Sequence, residues 1–385
     1  MISINKINSI LNDPSRERLE ELAAEASRLT RQYFGRAIGL YTPLYLSNYC
    51  ASHCVYCGFH SHNKIDRIKL SCEDIKAELQ AIARTGVRNI LLLTGESPQA
   101  TPLEYLAKAV TLAKEHFQGI ALEIYPLSEP EYHALYLAGA DGITLYQETY
   151  DPLRYGEVHL AGQKKDYAFR RDAPARIARA GMRQISLGIL LGLGPLAADL
   201  AALYAHLREL EIEFPGVEYS LSFPRLRTIK ARSFAGTPID DITFVKILCL
   251  TRTLFPRVGI NLSTRESAAF RNRALELSIT KISVGSRTTV GGYNESDEKS
   301  VPAAPAGLSR SGTPRPTLPR PRLAIGSPGG QGTKDKNPCL LGSARNLAAP
   351  QFDISDERSA AETILYLKEH GFDPVFTDWR RITNT

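Results

Sequence analysis

The sequence predicts an α/β protein, a TIM-like (β/α)8 barrel with an N-terminal helix and a C-terminal arm. Three observations predict it. Short apolar runs alternate with amphipathic stretches from residue 44 to residue 284. Polar or special residues follow the C-terminal end of each run. A loop carrying Cys50, Cys54 and Cys57 in a C-x3-C-x2-C pattern follows the first run.

Helical spacing of Leu19, Leu22, Ala23, Ala26 and Leu29 predicts the first helix, with Asp13 as N-cap, Pro14 at the first helical position and Gly35 at the end. The strand candidates are 44–49, 89–93, 121–125, 142–146, 184–191, 218–222, 259–262 and 281–284. Helix candidates between them are 72–85, 102–116, 130–137, 173–180, 199–210, 240–254 and 267–277. In a parallel barrel all strand C-termini meet on one face, where barrel active sites sit. Cys50, Gly95-Glu96, Gln147-Glu148, Arg225, Arg265 and Ser283 would gather there.

The predicted organisation is a helical extension over 1–40, the barrel over 41–300, a disordered insert over 301–350 and a segment over 351–385 that packs on the barrel. The insert is rich in proline and glycine without apolar periodicity. It carries seven bases against Asp335 alone, which accounts for the whole formal net charge of +6. The remaining chain is neutral, so the core lacks the electrostatic footprint of a nucleic-acid binder. No apolar run reaches the roughly 18 residues of a membrane span, and the acid-rich N-terminal stretch suits neither a secretory signal nor a transit peptide, so a cytoplasmic protein is expected.

Six cysteines in this length form no disulfide framework, and Cys72, Cys249 and Cys339 are scattered singly. Three thiolates in one short loop can wrap a metal centre and leave its fourth site to another ligand. An iron–sulfur cluster with one open iron is the reading that fits. The competing reading is a structural zinc with His60 as fourth ligand, which leaves the strand-end carboxylates and arginines without a purpose. His53, His60 and His62 are otherwise read as polar loop residues.

At the cysteine loop and the strand ends the chain resembles the radical S-adenosylmethionine (SAM) enzymes, and more narrowly the 2-iminoacetate synthases, the tyrosine lyases of thiamine thiazole synthesis. The segments that carry the resemblance are 43–48, 91–96, 146–150, 222–227, 262–267, 291–293, 353–358 and 375–379. It implies a barrel of the radical SAM type, a [4Fe–4S] cluster on Cys50, Cys54 and Cys57, and SAM on the open iron. It also implies cleavage of L-tyrosine to 2-iminoacetate and p-cresol, with thiazole synthase as protein partner and a one-electron reductant such as flavodoxin. The expected SAM contacts are Glu96 and Gly95, Glu148, Arg170 and, beside adenine, Phe59. Arg265, helped by Ser283 and with Arg225 as a further candidate, is expected to grip the substrate carboxylate. No side chain is assigned a catalytic role beyond the cluster and the SAM-derived radical. A tryptophan lyase of the same superfamily stays open. The hydrogenase-maturation tyrosine lyase needs a C-terminal cysteine motif, and only Cys339 lies beyond residue 300.

Overall fold

The computed structural model describes residues 2–226, 236–294 and 350–377. Eight strands form the barrel wall: β1 (Ala37–Ser47), β2 (Asn89–Thr94), β3 (Gly119–Glu123), β4 (Gly142–Glu148), β5 (Gln184–Ile189), β6 (Glu218–Ser222), β7 (Gly259–Leu262) and β8 (Lys281–Ser283). Each pairs in parallel with the next, and β1 pairs with both β8 and β2, which closes the barrel. Strands covered on both faces read as continuous apolar runs rather than alternating ones. Ile90-Leu91-Leu92-Leu93 of β2 is such a run, and all four residues are buried. Helices such as Cys72–Arg84, Leu103–Ala113, Leu196–Glu213 and Asp241–Leu254 cover the outside, and their inner faces join the strands in one apolar core.

Two differences from the expected elements lie at the N-terminus. A helix over Ile4–Leu11 precedes the expected one, capped by Ser3. The long helix spans Arg16–Phe34, with Ser15 as N-cap accepting from the Arg18 amide. Asp13 instead accepts from the Ser15 amide and pairs with Arg18. The serine hydroxyl sits one residue before the first helical turn, where it reaches an unpaired amide, and Pro14 therefore stands outside the helix. Gly35 closes the helix as expected, at φ +63°.

The strand β9 (Asp373–Val375) pairs in parallel with Ala37–Gly39 at the start of β1, after the helix Ala360–Glu369. Between barrel and helix, Arg271 is buried against Asp356 and the Ser283 carbonyl, and Arg358 donates to the same carboxylate at 2.7 Å. The expected insert lies outside the described residues except for Pro350, as do Arg227, Cys339 and Trp379.

Candidate active site

The cysteine loop leaves the C-terminal end of β1 and is tied down along its length. Asn48 donates to the Asp66 carbonyl at 2.8 Å and accepts from the Ile68 amide at 2.7 Å. Arg67 donates to the carbonyls of Asn48, Phe59 and His60 at 2.6–2.7 Å, which joins the two ends of the loop. The middle of the loop pairs with the connection between β4 and β5: Val55 with Val158, and His53 with Leu160 and Ala161. A glycine is required where those backbones touch. At Gly162 (φ +82°) a Cβ would lie 2.5 Å from Ser52 Cα.

Gly95 has a related role. A Cβ there would lie 2.3 Å from the Tyr49 carbonyl oxygen, so this glycine is needed for the approach of strand β2 to the cysteine loop. Its amide donates to Ser47 O, and the Glu96 carbonyl accepts from Ala51. The backbone that presents Glu96 thus also shapes the loop that presents the thiols.

Cys50, Cys54, Cys57, Phe59, Gly95, Glu96, Glu148, Arg170 and Arg265 line one cavity at the C-terminal mouth of the barrel. Burial pushes the Cys50 thiol up to about 11, and the Cys54 and Cys57 thiols up as well, so each sheds a proton on taking up a metal. The Phe59 amide points at Cys57 Sγ from 3.4 Å and Gln351 Nε2 from 3.9 Å, donors suited to a thiolate ligand. Phe59 is buried edge-on to Tyr45, with ring centroids 5.9 Å apart.

A compact charge group stands beside the thiols. Lys164 Nζ lies 2.7 Å from Glu148 and 3.6 Å from Glu96, and Arg170 Nη1 donates to Glu96 at 2.9 Å. Arg170 Nε donates to the Tyr146 carbonyl at 2.7 Å. Burial works against every charge here. At Glu96 the two cations outweigh burial and hold the carboxyl below its usual range. Lys164 and Arg170 are likewise held charged, because the carboxylates outweigh their desolvation. Glu96 Oε2 is buried with no hydrogen-bond partner among the described residues. An orphaned carboxylate oxygen beside three thiols calls for a donor, and the ammonium of a cluster-bound amino-acid group fits it. The residues present therefore suit both the cluster and SAM.

Glu148 reaches the cavity through an irregularity. It adopts φ +72° where β4 slips its register against β5 between Tyr146 and Glu148. A non-glycine residue in that region is uncommon and is retained where the side chain must be aimed. Lys164, its partner, is absent from the sequence expectation. So are Glu123, Gln351 and Phe352, all in the cavity wall. His159 is another addition: its Nδ1 donates to the Tyr155 carbonyl at 2.9 Å and its Nε2 accepts from Tyr56 OH at 2.7 Å. Burial, then Lys164, pushes that imidazole down to about 2, so it braces the loop in neutral form.

Two expected substrate residues lie elsewhere. Arg225 turns away from the cavity, pairs with Glu266 and with Asp241 at 2.8 Å, and lies over the Phe244 and Phe270 rings about 5 Å away. Its neighbours Pro224 and Leu226 line the cavity in its place. Ser283 is buried and accepts from the Thr264 amide at 3.1 Å, so it fixes the turn that carries Arg265 rather than facing substrate. Near the thiols, His60 Nδ1 accepts from the His62 amide at 3.1 Å, and the His60 and His62 rings stack against His53. That nitrogen is committed to the backbone.

Comparison with known proteins agrees with this geometry. The model of the radical SAM superfamily matches residues 44–207, and that of the biotin and thiamin synthesis associated domain matches 222–373. Barrel, thiol loop and charge group together are those of a radical SAM enzyme, with a [4Fe–4S] cluster and SAM as its cofactors. A 2-iminoacetate synthase of Escherichia coli (strain K12) is 41% identical over 276 residues, 71% of this chain and 73% of that protein. The 2-iminoacetate synthase of Salmonella typhimurium is 37% identical over 293 residues, 76% of this chain and 78% of that one. The crystal structure of HydG, a maturase of the [FeFe]-hydrogenase, aligns with a TM-score of 0.80 at 27% identity, covering 98% of this chain and 73% of its own. The chain belongs to the 2-iminoacetate synthase family.

Proposed function

We propose that the chain is a radical SAM lyase that cuts the Cα–Cβ bond of L-tyrosine. The products are 2-iminoacetate and p-cresol, with 5′-deoxyadenosine and methionine, and the iminoacetate serves assembly of the thiamine thiazole ring. One observation carries this reading. Three thiols, a carboxylate with an orphaned oxygen and Arg265 share one cavity in a chain 41% identical to a 2-iminoacetate synthase.

When bound at these residues, the cluster and SAM would supply one-electron chemistry for abstraction of a hydrogen atom from the substrate. The chain's own residues bind, orient and exclude water. Cys50, Cys54 and Cys57 hold the cluster. Glu96 accepts from the SAM ammonium through Oε2, and Glu148 serves the amine or the ribose hydroxyls. Arg170 commits Nε and Nη1 within the protein, which leaves Nη2 for the SAM carboxylate. Phe59 flanks the adenine. Arg265 grips the tyrosine carboxylate, and its turn is held by Ser283.

Thiazole synthase is the partner that would take an unstable imine, and a flavodoxin-type protein is a suitable one-electron reductant. A cytoplasmic setting suits both, and among the described residues no helix is long and apolar enough to cross a membrane. The test is an anaerobic assay of reconstituted protein with SAM, dithionite and tyrosine. Release of p-cresol with 5′-deoxyadenosine is expected, and Cys54→Ala should abolish both. Deoxyadenosine without p-cresol would overturn the choice of substrate.

A further inference from the structure

At the end of β3, Glu123 projects into the cavity opposite Arg265, and nothing above gives it work. Among the described residues its carboxylate has no hydrogen-bond or ion-pair partner, whereas Glu96 and Glu148 are both held by Lys164. An unpaired carboxylate in a half-buried wall is costly to keep unless a ligand completes it. Arg265 and Glu123 also share neighbours: both act electrostatically on Tyr45 of β1 and Tyr146 of β4. A guanidinium and a carboxylate facing one space match the two charged groups of an α-amino acid.

We propose that Glu123 is a further catalytic residue, whose carboxylate binds the substrate ammonium opposite Arg265 and accepts a proton from it. This rests on the amino-acid lyase reading above. The step is Glu123–COO⁻ plus substrate –NH3⁺ giving Glu123–COOH plus substrate –NH2. An O–H bond forms, an N–H bond breaks with its electron pair left on nitrogen, and no electron changes owner. The neutral amine is the form from which a hydrogen atom can then leave nitrogen. The carboxyl returns its proton to water when the products depart.

The surroundings suit this task. The charged and titratable groups facing Glu123 are Arg265 at the end of β7, Lys164 and Arg170 beyond β4, Glu148 of β4, and the phenols Tyr41, Tyr45 and Tyr146. Burial, opposed by Arg265, pushes the Glu123 carboxyl up to about 7. A carboxylate this basic takes an ammonium proton far more readily than an ordinary one.

The test uses the reconstituted full-length protein with wild type as control. In Glu123→Gln the cluster signals with and without SAM should stay unchanged, while p-cresol formed per deoxyadenosine falls about 100-fold. Tyrosine affinity, read by equilibrium dialysis, should weaken about tenfold. Wild-type kcat/KM, which reports the free enzyme, should rise with pH through a limb near 7, and that limb should vanish in the Gln variant. Glu123→Asp should restore part of the coupling. Unchanged coupling and an unchanged limb in Glu123→Gln overturn the proposal. If the Gln variant fails to fold, Glu123→Asp decides: a retained limb supports the proposal and its absence overturns it. A wild type that makes deoxyadenosine but no p-cresol overturns the lyase reading and the proposal with it.

Discussion

The Arg265 guanidinium lies over the Phe352 ring, 3.4 Å from its centroid. This contact joins the seventh strand end to the segment that follows the insert, so a residue more than eighty positions away sets the pose of the expected carboxylate clamp. Such a contact is worth about 0.5–2 kcal/mol, depending on how dry it is. Phe352→Ala should therefore raise the KM for tyrosine roughly 3- to 30-fold. SAM cleavage without substrate should be little affected, because the ring packs on Arg265, the residue assigned to tyrosine rather than to SAM. Steady-state p-cresol kinetics beside a deoxyadenosine assay check both halves.

Lys164 is the hinge of the charge group, since it faces Glu148 at 2.7 Å and Glu96 at 3.6 Å with all three side chains largely buried. Removing one member of a buried charge cluster leaves an uncompensated charge and costs about 3–5 kcal/mol. Lys164→Met should lower stability by that order, read from urea unfolding of the apoprotein. Adding Glu148→Gln should recover part of the loss, because the two side chains are in contact and their effects do not add. Independent, additive losses would contradict the coupling.

The sequence carries the barrel because parallel strands buried on both faces leave unbroken apolar runs, as in 90–93, and the residue after such a run must lie at the mouth. Glu96, Glu148 and Arg265 are legible for that reason. Lys164 is not. It lies in an irregular connection without periodicity, and only the pairing of 158–161 with the cysteine loop brings it to the carboxylates. Arg225 and Arg265 both follow strands, and no local pattern says which faces inward. Glu266, one residue beyond Arg265, captures Arg225 instead. Gln351 and Phe352 follow a long aperiodic stretch and reach the site through tertiary contacts alone.

Gln351 bridges the cluster loop and the barrel wall. Its Nε2 approaches Cys57 Sγ at 3.9 Å, and its Oε1 accepts from Tyr45 OH at 2.7 Å, which fixes the amide orientation. Hydrogen bonds to cluster sulfurs stabilise the more negative, reduced state and so raise the potential. Gln351→Leu should lower the midpoint potential of the reconstituted cluster, read by redox titration followed by EPR, and slow reductive SAM cleavage. An unchanged potential would show that the contact is packing alone.

Glu123 also ties function to stability, with a sign that follows from its raised pKa. The carboxyl titrates near 7 in the folded chain, against an ordinary value of 4.5. The folded state therefore binds more protons between those values, and stability falls as pH rises through the window. Below about 4.5 both states are protonated and the group contributes no difference. Above 7 the folded chain holds a desolvated, ionised carboxylate at a cost on the order of 3 kcal/mol. Glu123→Gln removes that cost. The variant should be more stable than wild type at pH 8 and nearly equal to it at pH 4, in urea unfolding of the apoprotein. A gain of the same size at both pH values would trace the effect to packing rather than charge.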